Sequence, residues 1–468
     1  MNDTQDGRED SAIASTLDRR TFIRASIGIG LGATAVLNGC RAPGNRVRTR
    51  TAARAAHGGP MRLAIIGVAG QGGANLDAVK HEHIVALCDV DLTALDAAAK
   101  HVPGAVKFRD FRALLTDTTL DLDGVVISTP DHTHAPAAAM ALRRGYGVYL
   151  EKPLTHSIET CRTLARLART NECVTQMGTL IHAGGNYRRV VEAIQSGVIG
   201  SVTQVDCWCP KSWCCGTLTP GAVPPPQLDW NLWQGPIPFV DYIADVHPAN
   251  WRRYWSYGTG TLGDMGCHIL DLPMWALGLD EPRWSRCSVT AAGPPVDAIG
   301  CPAWLEATWV YPRPSDPDQT MLDPLVVRWF DGGRVPPTVQ ELGAKDRTNY
   351  FDQYMVCFQG TKGFLFANYD EMRILMAGDS SPPPRSIADS PGHHREWLNA
   401  LRTGTVTGDG APLCRFEYAA PLTEMVLLGT VAYRSGTTIE WDRERGLING
   451  TAATRALLRE PYRDSWGV

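Results

Sequence analysis

The sequence predicts an α/β protein in two parts: a doubly wound parallel sheet, then an α/β domain with a large, open, mostly antiparallel sheet. Three observations predict it. Between residues 61 and 180, short apolar strands alternate with helical stretches, the pattern of a parallel sheet covered on both faces. The first of those strands runs straight into a glycine-rich turn and a helix. Beyond residue 180 the period changes, and runs such as 305–311, 324–330 and 363–366 alternate as strands of an antiparallel sheet do. At 468 residues the chain has length for two domains, or three.

Composition narrows the function classes. Hydrophobic residues make up 44% and charged residues 20%, the balance of a soluble globular protein with ample core. A net charge of −4 gives no electrostatic case for a nucleic-acid partner. Six of the fourteen tryptophans lie between Trp208 and Trp255, which suggests a stacking surface for sugar-like ligands, although core packing is the ordinary role of any one of them. Cys207, Cys209, Cys214 and Cys215 cluster, but their spacing is no standard zinc pattern and no histidine pair completes it, so no metal site is assigned. Scattered thiols, a disulfide or a metal all stay open for them.

Taken in order, residues 1–40 read as an export signal rather than part of the fold. Asp18-Arg19-Arg20-Thr21-Phe22-Ile23-Arg24 resembles a twin-arginine motif, with Asp, Ile and Arg where Ser, Leu and Lys are commoner. The Gly/Ala-rich segment after it is too short to span a bilayer. It ends in Leu37-Asn38-Gly39-Cys40, which resembles a lipobox that would place a lipid anchor on Cys40; simple cleavage is the alternative. Residues 41–60 are rich in Arg, Ala and Gly without apolar periodicity, and are expected to be a disordered linker.

The first domain, 61–180, opens with strand 62–66, the turn Gly67-Val68-Ala69-Gly70-Gln71-Gly72 and a helix. A second strand, 84–88, ends in Asp89, 22 residues after the first glycine. Strand, glycine turn, helix amino terminus and then an acid make the dinucleotide-binding pattern, with the pyrophosphate at the helix and the acid on the adenosine ribose. Ala69 stands where the second glycine of that pattern belongs; either its methyl fits or Gly70 takes the role. An acid rather than an arginine at the strand end favours NAD over NADP. Strand 124–128 leads into Thr129-Pro130-Asp131-His132-Thr133-His134, read as a loop before a helix at 135–144. Thr129, Pro130, His132 and His134 are candidate cofactor contacts at a strand end, where open α/β sheets bind ligands.

Strand 147–150 runs into Glu151-Lys152-Pro153. Proline fixes its own φ and biases the lysine before it towards extended geometry, so the Lys152 ammonium is aimed. Ile158, Cys161, Leu164, Ala165 and Ala168 form a helical stripe with Ser157 as amino cap. Strand 174–177 is the sixth, and its Gln176 is a further candidate contact.

The second domain, 181–445, begins with a helix at 187–195 and a strand at 202–208, followed by a proline-rich loop and the aromatic segment 230–255. A glycine-rich lead then enters a helix on which Asp264 and His268 are four apart and share a face. A carboxylate and an imidazole so placed can hold a substrate hydroxyl and take its proton, though alone such a pair is ordinary on a polar helix face. Helices at 393–402 and 421–434, a strand at 437–441 and a tail, 446–468, complete the chain.

With these motifs in this order, residues 61–442 resemble the Gfo/Idh/MocA oxidoreductases. The resemblance implies a Rossmann domain followed by a substrate domain whose open sheet often forms an interface between copies of the chain, hence a homo-oligomer. It implies Lys152 at the reacting hydroxyl and cofactor, His268 as acid/base, and Asp264 orienting the sugar and tuning His268. It gives Gly67, Ala69, Gly70, Gln71, Gly72, Asp89 and Glu151 to a tightly bound NAD, and Tyr187, His247, Trp251 and Arg252 to a carbohydrate substrate. The expected activity is oxidation of a sugar or cyclitol hydroxyl. The twin-arginine machinery carries folded proteins, so a trapped cofactor could travel with the chain to the periplasm. That also admits redox-neutral glycoside cleavage, by oxidation, elimination and reduction, as in the similar NAD-dependent α-N-acetylgalactosaminidases. A catalytically inactive sugar-binding protein is the reading outside enzymology, and loss of Lys152 or His268 would be its mark.

Overall fold

The computed structural model describes residues 43–312, 324–376, 385–459 and 461–468; the signal motif and Cys40 lie outside them. In chain order its elements begin with α1 (Pro43–Ala56), β1 (Arg62–Ile66), α2 (Gln71–Val79), β2 (His83–Cys88), α3 (Leu92–Ala99), β3 (Val106–Phe108) and α4 (Phe111–Thr116). Then come β4 (Gly124–Ile127), α5 (Asp131–Arg143), β5 (Gly147–Leu150), α6 (Ile158–Thr170), β6 (Thr175–Met177) and α7 (Gly185–Gln195). The six strands form one parallel sheet in the order β3-β2-β1-β4-β5-β6. This doubly wound order reverses between β1 and β4, and ligands bind outside the strand ends at such a switch point. Continuous apolar runs, buried on both faces in β4 and β5, are what a covered parallel sheet demands.

The second part continues with β7 (Val202–Trp208), α8 (Trp230–Gln234), α9 (Gly260–Ile269), α10 (Asp271–Leu277), β8 (Arg286–Ala292), β9 (Glu306–Tyr311) and β10 (Leu325–Phe330). After α11 (Pro337–Asp346) and α12 (Tyr350–Gln353) come β11 (Val356–Gly360), β12 (Gly363–Ala367), β13 (Met372–Met376), α13 (His393–Thr403) and α14 (Phe416–Ser435). The chain closes with β14 (Ile439–Asp442), β15 (Leu447–Ile448) and α15 (Ala452–Ala456). These nine strands form a sheet ordered β13-β12-β11-β7-β10-β9-β8-β14-β15, antiparallel throughout except where β10 runs parallel to β7. Alternating burial in β9 matches its alternating sequence. Helix α14 is buried nearly all round and packs on α6, α9 and β8, so it joins the first sheet's helices to the second sheet.

Two expectations change. Residues 43–56 are not a disordered linker: they form α1, which packs along α13, with Val47 buried in the core and a largely polar grip beside it. Buried Thr51 donates to Asp123 Oδ1 at 2.7 Å, Arg54 pairs with both Asp121 and Asp123, and Arg48 pairs with Glu172 at 2.6 Å. A helix held by charges carries little apolar period to read. Likewise 446–468 is more than a tail, since β15 extends the large sheet and Trp466 is buried.

Candidate active site

A cavity of about 510 Å³ opens at the carboxyl ends of the first sheet's strands, within the roughly 300–1,000 Å³ typical of cofactor and substrate sites. Gly67, Ala69, Gly70, Gln71, Asp89, Thr129, Pro130, Glu151, Lys152, His247, Trp251, Arg252 and His268 all line it. The first nine follow the ends of β1, β2, β4 and β5, whereas His247, Trp251 and Arg252 come from the segment before α9 and His268 from its last turn.

The glycine turn answers the question left by Ala69. Gly70 holds φ +54° as the residue before α2, a conformation in which side chains are strained, and a Cβ there would meet open space. Ala69 stays exposed beside it. Gly72 does not line the cavity; a Cβ on it would drive into the Gly67 carbonyl, so it permits close packing of the helix against the turn. Asp89 accepts backbone N–H groups from Val68 and Asp91, both at 3.0 Å, and burial raises its pKa. Thr129 Oγ1 and Arg109 Nε, on cavity-lining residues, are buried without a hydrogen-bond partner among the described residues. Open turn, helix start, acid and unpartnered polar atoms fit a dinucleotide.

At the other end stands the charged cluster. The Lys152–Pro153 peptide is cis. The Lys152 ammonium donates to the backbone oxygen of Asp264 and to its Oδ1, each at 2.8 Å, leaving its third N–H for a ligand. Asp264 also accepts from Arg252 Nε at 3.0 Å, Lys211 Nζ at 3.2 Å and Trp213 Nε1 at 2.7 Å. Burial would raise the pKa of this carboxyl, but Lys152, Arg252 and Lys211 outweigh it and hold it well below the usual range. With four side-chain donors on its two oxygens, Asp264 positions Lys152 and Arg252 and has no lone pair spare for a sugar hydroxyl.

His268 lies one turn further on and shows its ring to the cavity, with no hydrogen bond to either ring nitrogen among the described residues. Burial and the Lys152 ammonium push its pKa down to about 3, against the upward pull of Asp264. The imidazole is neutral at neutral pH, and its ring nitrogens are open to a ligand. Glu151 lies behind, bonded by Asn75 Nδ2 at 2.9 Å, with its pKa raised by burial; Gly178 is bare because a Cβ would touch that carboxylate.

Four expected contacts fall elsewhere. His132 and His134 are not in a loop: they sit in the first turn of α5, fully interior. His132 sets its nitrogens 2.9 Å from the Trp233 carbonyl oxygen and 3.3 Å from that of Tyr257, while His134 lies 2.8 Å from those of Pro153 and Thr129. Both pin main chain and neither lines the cavity. Gln176 is buried and donates to the His393 carbonyl oxygen at 3.2 Å, away from the cavity. Tyr187 is buried too, and its hydroxyl donates to the His268 carbonyl oxygen at 3.1 Å, so it braces the end of α9. His247 feels the charges of Asp91 and Asp89, which sets it on the Asp89 side rather than beside His268. Ser157 takes the amino-cap position of α6, but its hydroxyl pairs with that of Thr160.

No motif marks Lys211 or Trp466, and Trp213 stands out only as one of the six clustered tryptophans. Lys211 and Trp213 leave β7 in an irregular stretch with no motif spacing, and Trp213 is fixed by its own N–H on Thr261 Oγ1 at 2.7 Å. Cys207 and Cys209 are buried free thiols; Cys214 and Cys215 place their sulfurs 2.9 Å apart near the surface, unbridged.

Two family models match the chain: an oxidoreductase family's NAD-binding Rossmann fold over residues 61–179, and an oxidoreductase family's C-terminal alpha/beta domain over 189–316. The chain is 24% identical over 299 residues to levoglucosan dehydrogenase of Pseudarthrobacter phenanthrenivorans, covering 61% of this chain and 66% of that one. It is 26% identical to inositol 2-dehydrogenase of Corynebacterium glutamicum, over 30% of this chain and 43% of that one. With glycosyl hydrolase family 109 protein 1 of Shewanella sp. it shares 27% identity over 42% and 39% of the two chains. The matches thus span less than two thirds of these relatives' lengths. In fold it is similar to the WlbA dehydrogenase from Bordetella pertussis, solved with NADH and UDP-GlcNAcA (TM-score 0.56, 15% identity, 81% of this chain and 98% of that one). A levoglucosan dehydrogenase solved with NADH and L-sorbose gives a TM-score of 0.51 at 16% identity, over 82% and 99% of the chains. Since both domain models of one family match in order, and the glycine turn, Lys152, Asp264 and His268 all fall within them, the chain belongs to the Gfo/Idh/MocA oxidoreductase family.

Proposed function

We propose that the protein oxidises a hydroxyl of a sugar or cyclitol with a tightly held NAD. The observation that carries this is His268: a neutral imidazole with unengaged nitrogens, in a cavity that also receives a Lys152 N–H. When bound, the nicotinamide supplies the hydride acceptor. Gly70 and the start of α2 receive the pyrophosphate, and Asp89 accepts from the ribose hydroxyls. The neutral His268 ring takes the hydroxyl proton, and the Lys152 ammonium stabilises the alkoxide that develops. Asp264 keeps Lys152 in place, and Trp251, with the Arg252 guanidinium 4.1 Å over its ring, gives the sugar an aromatic and cationic wall.

The test uses extensively dialysed protein, denatured with acid and assayed for NAD and NADP, with native protein screened for nicotinamide reduction by sugars and cyclitols. Near-stoichiometric NAD reduced by one of them is expected. NADP in its place would overturn the reading of Asp89, and no nucleotide bound or taken up would overturn the function. A second reading, redox-neutral glycoside cleavage, is favoured by the family 109 relatives; release of an aglycone without net reduction distinguishes it. The twin-arginine and lipobox sequences support an extracytoplasmic location, with Cys40 as a lipid anchor, and cell fractionation with metabolic lipid labelling tests both. The family resemblance supports a homo-oligomer, which sedimentation tests.

A further inference from the structure

Residues 461–468 lie outside both stretches matched by the family models, yet Trp466 is only 7% exposed and lines the same cavity as Asp89. It is held from two sides. The Arg112 guanidinium stands 3.9 Å over its indole, and Phe111 meets it edge-on with ring centroids 5.7 Å apart. Arg463, three residues earlier, anchors the segment to the aromatic region: Nε donates to the Gly235 carbonyl oxygen at 2.9 Å, and Nη1 to Asn231 Oδ1 at 2.7 Å. Its backbone N–H donates to the Pro236 carbonyl oxygen at 2.7 Å, and the Trp466 N–H folds back on the Arg463 carbonyl oxygen at 3.3 Å.

Topology says which end of the cavity this is. Asp89 follows β2, whereas Arg109 to Phe111 follow β3, the edge strand beyond it. Lys152 follows β5, on the opposite side of the switch point. A wall of Phe111 and Trp466 therefore stands past Asp89, away from the reacting centre. On this side Arg109 lines the cavity with a buried, unpartnered Nε, while its Nη2 ties the Val90 and Gln227 carbonyl oxygens at 3.0 and 3.2 Å. Residues 227–236 thus cross above Asp89, and the C-terminal segment is fastened to them.

We propose that residues 462–466 form a strap, with Trp466 as a wall of the adenosine end of the nucleotide site, and that this strap governs release of the dinucleotide. The inference rests on the dinucleotide reading above and extends it to residues that the family models leave unmatched. An apolar aromatic wall excludes water from the adenine and must shift before the adenosine end can leave. The strap makes retention a property of the chain's last residues rather than of the catalytic cluster.

Full-length protein loaded with NADH and chased with excess NAD tests it, followed by nicotinamide fluorescence. Trp466→Ala should release NADH about tenfold faster or more, from the worth of an aromatic surface against a base. Trp466→Phe should recover most of the difference. Arg463→Gln, which keeps the indole but removes the strap's anchor and the Arg463 guanidinium 5.6 Å over the ring, should speed release about threefold, so a poorly folding Trp466→Ala does not end the test. In titrations, Trp466→Ala should weaken ADP-ribose and leave reduced nicotinamide mononucleotide unchanged. Unaltered release in both variants, or equal losses for the two half-ligands, overturns the strap. A wild-type protein that binds neither NAD nor ADP-ribose overturns the dinucleotide reading itself, which is a separate result.

Discussion

Two helices border the cavity with the same residue types and opposite outcomes. The first turn of α5 carries Asp131, His132 and His134; α9 carries Asp264 and His268. In α5 every ring nitrogen is covered by a nearby carbonyl oxygen, and Asp131 is buried with one hydroxyl donor, Thr259 Oγ1 at 3.0 Å, so burial raises its pKa. In α9 three cations reverse the shift on Asp264, and the His268 ring is left open to the cavity. An Asp-and-His pair is therefore not a site. What makes one reactive is which donors and acceptors its neighbours have already taken.

Removing the open ring should produce the largest effect. His268→Ala should lower kcat by roughly 10²–10⁴-fold, the usual worth of a positioned base, while acid-released nucleotide stays stoichiometric. The matching change in α5 should do the reverse: the neutral His132 ring has a single N–H, so His132→Ala strips one buried carbonyl of its donor and empties a packed site, and should cost about 1–3 kcal/mol in denaturant unfolding, with kcat/KM per folded molecule unchanged. Loss of turnover in the folded His132→Ala protein would break the comparison.

A finer test addresses Asp264. Lys211→Met or Trp213→Phe removes one donor of four and should lower kcat/KM about tenfold by loosening the hold on Lys152, with nucleotide content unchanged. No change in either variant would mean that Lys152 is held well enough by its remaining bonds.

The smallest effect is on pH dependence. Burial lowers His132 and His393 to about 3, and His394 to about 4, against about 6.5 in an unfolded chain. Between those values the unfolded state binds more protons, so stability rises with pH across that window and is lost on acidification. Urea midpoints should fall from near neutrality towards pH 5, and His132→Asn should flatten that slope by up to about 1.4 kcal/mol per pH unit.

The parallel sheet was legible because its buried strands are unbroken apolar runs, and the glycine turn and Asp89 are local in sequence. Lys152, Asp264 and His268 were legible as a set only through the family resemblance, since each alone reads as an ordinary strand-end or helix-face residue. The positions of His132, His134, Gln176 and Tyr187 were not, because a strand-end address says nothing about where a side chain turns. Helix α1 was missed because Val47 is its one large apolar side chain in the core, and the rest of its packing face is built from Thr51, Arg48 and Arg54. Trp466 could be found only by folding the chain, since its partners Phe111 and Arg112 lie more than 350 residues away.

Asp89 carries a consequence for anyone redesigning cofactor preference. The usual exchange would put a basic side chain in its place to welcome a 2′-phosphate. Here, however, both carboxylate oxygens also fasten main chain, one of them the Val68 amide inside the glycine turn. A single Asp89→Arg change would unfasten the turn in the act of recruiting the new nucleotide. A workable redesign keeps an amide acceptor at 89, as Asp89→Asn or Asp89→Ser would, and introduces the positive charge at Val90.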